Sequence, residues 1–195
     1  RGRWLGGILL RLRNNAWTFE GVLSKDMCDE IIAQGLAAKI VKGDTANKNI
    51  NKKRDSQIAW LYDPNIMQML ERYIQIANRE AGWNFQWDSV KAIQFTQYKS
   101  GQHYGWHRDT AIPARKDGKI RKLSLTVNLN NDYVGGEMYI DTESNYGKKD
   151  PQQLKKLQKT GSISVFPADT WHKVAKVTEG TRYSLVVWLI GDEWR

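Results

Sequence analysis

The chain has 195 residues and a mass of 22.5 kDa, the size of one compact domain able to bury a sizeable core. Its 41% hydrophobic and 26% charged content excludes a disordered or membrane-embedded chain, and its single cysteine, Cys28, excludes an internal disulfide. A formal charge of +9 favours anionic partners such as nucleic acid or an acidic protein surface, yet the basic residues are spread along the chain as on any solvated surface.

Nothing requires an oxidising compartment, so a cytoplasmic setting is expected. Residues 1–13 read as a non-native or flexible N-terminal segment. The apolar run from Leu5 to Leu10 holds two glycines and is closed by Arg11 and Arg13, too short for a signal peptide or a bilayer span. Residues 14–195 are expected to form one domain.

A first helix is expected over Lys25–Ala38. Ser24 is its N-cap, Asp26 sits in the first turn, and Met27, Cys28, Ile31, Ile32 and Leu36 form the apolar face. A second begins at Asp63-Pro64, carries Ile66, Met67, Leu70, Tyr73, Ile74 and Ala77 on one side, and stops near Gly82. Short runs rich in β-branched and aromatic residues then alternate with Gly, Asn and Asp. They predict strands at Val90–Tyr98, Tyr104–Asp109, Lys122–Leu129, Glu137–Ile140, Ser162–Phe166, His172–Val177 and Arg182–Ile190. Helices followed by strands indicate an α+β fold, with the helices bracing one face of a mainly antiparallel sheet. Two polar stretches, Ala111–Arg121 and Asp141–Thr160, interrupt the strands and are expected to be lids; the second contains an LKKLQK segment suited to a short helix.

Residues two apart on a strand share a face, so His107 and Asp109 project an imidazole and a carboxylate to one side. With His172 from another strand they would form a two-histidine, one-carboxylate facial triad, which holds a divalent metal and leaves three positions open. Ten residues on, Arg182 offers a planar guanidinium suited to a carboxylate. Taken singly, each of these residues has an ordinary structural reading, and an H-x-D string arises by chance in roughly one such sequence in ten. Their order along one chain is what carries the signal. The third histidine, His103, reads as a loop residue, and Trp106 and Trp171 read as packing.

From about Phe19 onward the sequence resembles the Fe(II)- and 2-oxoglutarate-dependent oxygenases of the prolyl-4-hydroxylase and PKHD types. The matching features are Tyr98 and Tyr104 ahead of His107-Arg108-Asp109, the run Leu123 to Asn130, Gly135-Gly136-Glu137-Met138, and Thr181-Arg182-Tyr183 with Trp188. The resemblance implies a double-stranded β-helix, or jelly-roll. It also implies Fe(II) on His107, Asp109 and His172, and 2-oxoglutarate on Arg182 with Tyr98 and Asn128 beside it. Dioxygen would be the co-substrate and ascorbate an accessory. The implied reaction couples decarboxylation of 2-oxoglutarate to hydroxylation of a prolyl or similar residue in a protein or peptide, with no membrane partner. Oxidative demethylation of nucleic acid, as in AlkB-type relatives, stands second because that branch resembles an Arg-x5-Arg pattern and here Trp188 stands six positions after Arg182. A non-catalytic, anion-binding jelly-roll stands third. Gly135-Gly136 reads as a backbone requirement for a turn or a close approach.

Overall fold

A computed structural model describes residues 14–43, 53–90, 92–110, 118–141 and 151–192. The expected flexible segment at 1–13 and parts of both expected lids, residues 111–117 and 142–150, lie outside the described residues.

Both helices form where their caps place them. α1 (Lys25–Ala37) starts at Ser24, whose hydroxyl accepts the Met27 N–H at 3.2 Å. α2 (Pro64–Glu80) starts at Asp63, whose carboxylate accepts from Asn65 and Ile66 at 2.9 and 3.2 Å. Pro64 costs nothing at the first helical position, where the missing N–H would have no partner within the helix. Cys28 and Ile31 on α1, and Ile66, Leu70, Ile74 and Ala77 on α2, are buried at intervals of about one turn.

The strands, in chain order, are β1 (Trp17–Phe19), β2 (Val41–Lys42), β3 (Arg54–Asp55), β4 (Gln57–Leu61), β5 (Ser89–Val90), β6 (Ile93–Lys99) and β7 (His103–His107). They continue as β8 (Lys119–Asn128), β9 (Tyr133–Gly135), β10 (Met138–Asp141), β11 (Pro151–Gln153), β12 (Ser162–Pro167), β13 (His172–Val174) and β14 (Val177–Asp192). Among the described residues they make two antiparallel sheets. The larger runs β1-β12-β8-β14-β6-β4-β2, with β5 and β9 also paired to β14; the smaller runs β11-β10-β13-β7-β3.

Alternation along the central strands separates two interiors. Leu123, Leu125 and Val127 of β8 and Leu185, Val187 and Leu189 of β14 pack with Phe95, Ile31, Leu70 and Ile74 in the core beneath the helices. On the other side, Thr126 of β8 and Arg182, Ser184, Val186 and Trp188 of β14 face the smaller sheet. Together with Tyr104, His107, His172 and Val174 they line a pocket of about 640 Å³. Two facing sheets with a pocket between them and helices outside one of them are the expected α+β jelly-roll.

Several boundaries differ from the sequence expectation. The strand expected at Arg182–Ile190 begins at Val177, so Arg182 lies in mid-strand. Gly180, with φ +72°, does not end the strand and stays paired with Tyr133, while the register shift falls earlier, between Val177 and Glu179. The stretch expected as a lid up to Arg121 is already strand from Lys119. Within Asp141–Thr160 the described part holds β11 and a 3-10 turn at Lys155–Gln158, anchored by buried Leu157. His103 belongs to β7 and pairs with Asp55. Trp171, expected to pack, is 40% exposed with Lys53 and Arg108 over its ring. No helix among the described residues is long and apolar enough to cross a membrane.

Candidate active site

The smaller sheet brings the two histidines side by side, since His107 ends β7 and pairs in register with His172 at the start of β13. Asp109 lies just past β7, where its N–H and that of Thr110 both donate to the Ala168 carbonyl at 2.9 Å. This clamp, more than strand alternation, aims the carboxylate at the histidines. Asp109 Oδ1 is 3.7 Å from His107 Nε2 and Oδ2 is 3.6 Å from His172 Nε2. The ligating atoms of the three residues all lie within 4.8 Å of one another.

Each imidazole is held in one orientation. Nδ1–H of His107 donates to the Gly105 carbonyl at 2.8 Å and that of His172 to the Thr170 carbonyl at 2.9 Å. With Nδ1 carrying the proton, both Nε2 lone pairs point to the shared space, as metal-ligating histidines require. Ser124 Oγ donates to Asp109 Oδ2 at 2.7 Å and fixes the carboxylate plane. Burial, with His172 adding to it, pushes His107 well below its ordinary range and keeps it neutral. Burial alone would raise Asp109, but His172, His107, Arg121 and the Ser124 hydroxyl outweigh it and hold the carboxyl ionised. A neutral imidazole and an ionised carboxylate are the forms that bind a divalent cation, so the donor set fits Fe(II).

Further along the pocket stands Arg182, 2% exposed. Its Nη1 donates to Ser184 Oγ at 3.1 Å, while Nε is buried with no hydrogen-bond partner. Among the described residues no carboxylate lies within ion-pair distance of it. A buried cation without a counter-charge is costly, and a carboxylate ligand would remove that cost. The space it occupies is made by Gly136, where φ is +65° and an added Cβ would lie 3.1 Å from Arg182 Cδ. This is the backbone requirement expected of Gly135-Gly136. The Arg182 Cζ lies 5.7 Å from the centre of the buried Tyr98 ring. Burial raises the Tyr98 hydroxyl against the pull of Arg54 and Arg182, so at neutral pH it remains a donor. Arg182 and Tyr98 therefore fit the far carboxylate of 2-oxoglutarate.

Asn128 is placed differently. Its amide donates to the carbonyls of Asn130 at 2.7 Å and Gln158 at 3.0 Å, and its oxygen accepts from the Tyr133 hydroxyl at 3.0 Å. These bonds tie the end of β8 to its neighbours, and Thr126, two residues earlier, lines the pocket in its stead.

Ser124, Thr126, Ser184 and Arg54 also line or support the site and have no place in the sequence expectation. A signal for the first three was present. Ser124, Thr126 and Ser184 recur every second residue in strands whose alternate positions are Leu and Val, and polar residues at that period on a buried strand mark a lined cavity. Arg54 carries no such local pattern.

A double-stranded jelly-roll holding a His-Asp-His cluster and a buried arginine between its sheets defines the class of Fe(II)- and 2-oxoglutarate-binding folds. The sequence profile of the 2OG-Fe(II) oxygenase superfamily matches residues 93–190, and the chain belongs to that superfamily. A PKHD-type hydroxylase from Shewanella oneidensis is 40% identical over 98 residues; the match covers 49% of this chain and 41% of the relative's length. The viral collagen prolyl hydroxylase of Paramecium bursaria Chlorella virus-1, solved with 2-oxoglutarate, shares the fold with a TM-score of 0.68 at 18% identity over 93% of this chain and 99% of its own. A Trichoplax adhaerens prolyl hydroxylase, solved with a hypoxia-inducible-factor peptide fragment, does so at a TM-score of 0.64 and 18% identity, over 90% and 83%.

Proposed function

We propose that the protein is a 2-oxoglutarate-dependent dioxygenase that hydroxylates a prolyl or similar residue in a protein or peptide. The observation that carries this is one pocket holding both a His-Asp-His cluster and a buried arginine that has no counter-charge among the described residues. His107, Asp109 and His172 are the metal ligands in this reading. The Gly105 and Thr170 carbonyls and the Ser124 hydroxyl keep them in place before the metal arrives, so little ordering is left to be done on binding. Arg182 and Tyr98 hold the far carboxylate of 2-oxoglutarate and set which end of it faces the metal ligands. Fe(II), with 2-oxoglutarate and dioxygen, supplies the oxidising power when bound. Met138, Phe166, Val174 and Trp188 give the cavity apolar walls that limit water near the reacting C–H bond. Exposed Val41 and Trp60 border its opening.

The +9 charge favours a second reading, demethylation of nucleic acid. Incubation with Fe(II), 2-oxoglutarate and air, against proline-containing peptides and methylated oligonucleotides, separates the two. A peptide gain of about 16 Da supports hydroxylation, and an oligonucleotide loss of about 14 Da supports demethylation. Absence of both, together with absence of succinate, overturns the proposal.

A further inference from the structure

A second arginine in the pocket has no part in the chemistry above. Arg54 lies on β3, the edge strand of the smaller sheet, and is 8% exposed. Its Nε donates to Ser56 Oγ at 2.8 Å, and its Cζ lies 4.8 Å from the centre of the Tyr104 ring. Tyr104 in turn stacks on the imidazole of His107, with centroids 3.5 Å apart. Arg54 is thus one ring removed from a metal ligand.

No described residue answers its charge. Among the described residues no carboxylate lies within ion-pair distance, and neighbouring Asp55 instead accepts from Gln102 Nε2 at 2.9 Å. The recess is shaped for this side chain: a Cβ on Gly43 would lie 2.9 Å from Arg54 Nε and 2.3 Å from Ser56 Oγ, so any larger residue there would displace it. Lys42, Lys53 and Arg108 line the same pocket, and Asp109 is the one carboxylate among the described lining residues. A guanidinium buried at this depth, stacked on an aromatic ring and with no partner for its outer nitrogens among the described residues, has the chemistry of a carboxylate receptor.

We infer that Arg54 receives a carboxylate of the peptide substrate and sets the position of the residue presented to His107, Asp109 and His172. This rests on the peptide-hydroxylase reading of the site. A carboxylate is the group that the peptide-hydroxylase reading offers to a planar guanidinium with two parallel donors, and a phosphodiester is the alternative that an oligonucleotide tests.

The test is equilibrium binding with Mn(II) and saturating 2-oxoglutarate, which needs no turnover. Capped proline peptides carrying one glutamate at successive positions are titrated beside glutamine twins, with binding read by calorimetry. One glutamine twin with a free C-terminus separates a side-chain carboxylate from a terminal one. The wild type should bind the best glutamate or free-terminus peptide roughly ten- to a hundredfold more tightly than its neutral twin. Arg54→Gln should erase that preference and Arg54→Lys restore part of it, with thermal melts confirming that both variants fold. The inference is overturned if the wild type does not discriminate, if discrimination survives in Arg54→Gln, or if that variant weakens 2-oxoglutarate or a methylated oligonucleotide and leaves the peptides unaffected. Retained carboxylate preference without any hydroxylated peptide would fault the prolyl reading and leave the receptor standing.

Discussion

Replacing Arg182 by alanine removes the group assigned to the far carboxylate of 2-oxoglutarate. Truncating one partner of a buried, hydrogen-bonded charge pair costs roughly 2 to 5 kcal/mol. Arg182 is 2% exposed, but its Nη1 already serves Ser184, which leaves Nε and the remaining guanidinium hydrogens for the ligand. That sharing places the loss in the lower half of the range, about 2 to 3 kcal/mol, or roughly 30- to 150-fold in Kd. Arg182→Lys should recover only part, because an ammonium offers a point charge where the guanidinium offers two parallel donors. The assay is anaerobic calorimetric titration of 2-oxoglutarate into protein loaded with Mn(II), with Mn(II) affinity measured separately. Metal affinity should change little, since Arg182 does not contact the His-Asp-His cluster. A Kd for 2-oxoglutarate within about threefold of wild type would refute the reasoning and move the carboxylate site elsewhere.

Ser124→Ala removes the 2.7 Å bond that orients Asp109, and metal affinity measured by competition with a chelator should fall roughly ten- to a hundredfold. Gly136→Ala puts a side chain at φ +65° and against Arg182; it should lower stability by about 1 to 2 kcal/mol in denaturant unfolding and also weaken 2-oxoglutarate binding. Burial pushes the Tyr104 hydroxyl up to about 12 from its ordinary 10.0, so the fold favours the neutral phenol. Its contribution is full below pH 10.0 and is lost as pH rises through about 12, so wild type should lose more melting temperature over that window than Tyr104→Phe. Equal losses in the two proteins would mean that Tyr104 is not the group responsible.

Helix caps and apolar periods were legible because they are local. Ser24 and Asp63 each satisfy N–H groups two or three residues away, and Leu70 and Ile74 declare their face within one turn. That His107, Asp109, His172 and Arg182 would gather in one place was legible through residue type and order, since few side chains can ligate a metal or grip a carboxylate. The short strands β2, β3 and β11 were not. They exist through pairing with β4, β7 and β10, and no property of Val41-Lys42 or Arg54-Asp55 announces a partner so far along the chain. The same reason hid Arg54, whose meaning comes from Gly43, Ser56 and Tyr104 closing around it. Asn128 shows the opposite case. Its position on β8 suits a pocket residue, but bonds to Asn130, Gln158 and Tyr133 engage its side chain elsewhere.

The central claim is that one cation and one 2-oxoglutarate share the space between the sheets. Crystals grown anaerobically with Mn(II) and 2-oxoglutarate test it through the anomalous signal of the metal. The expected result is a single strong peak touching His107 Nε2, His172 Nε2 and Asp109, with the far carboxylate of 2-oxoglutarate on Arg182. A peak on other residues, or 2-oxoglutarate bound away from Arg182, would contradict it.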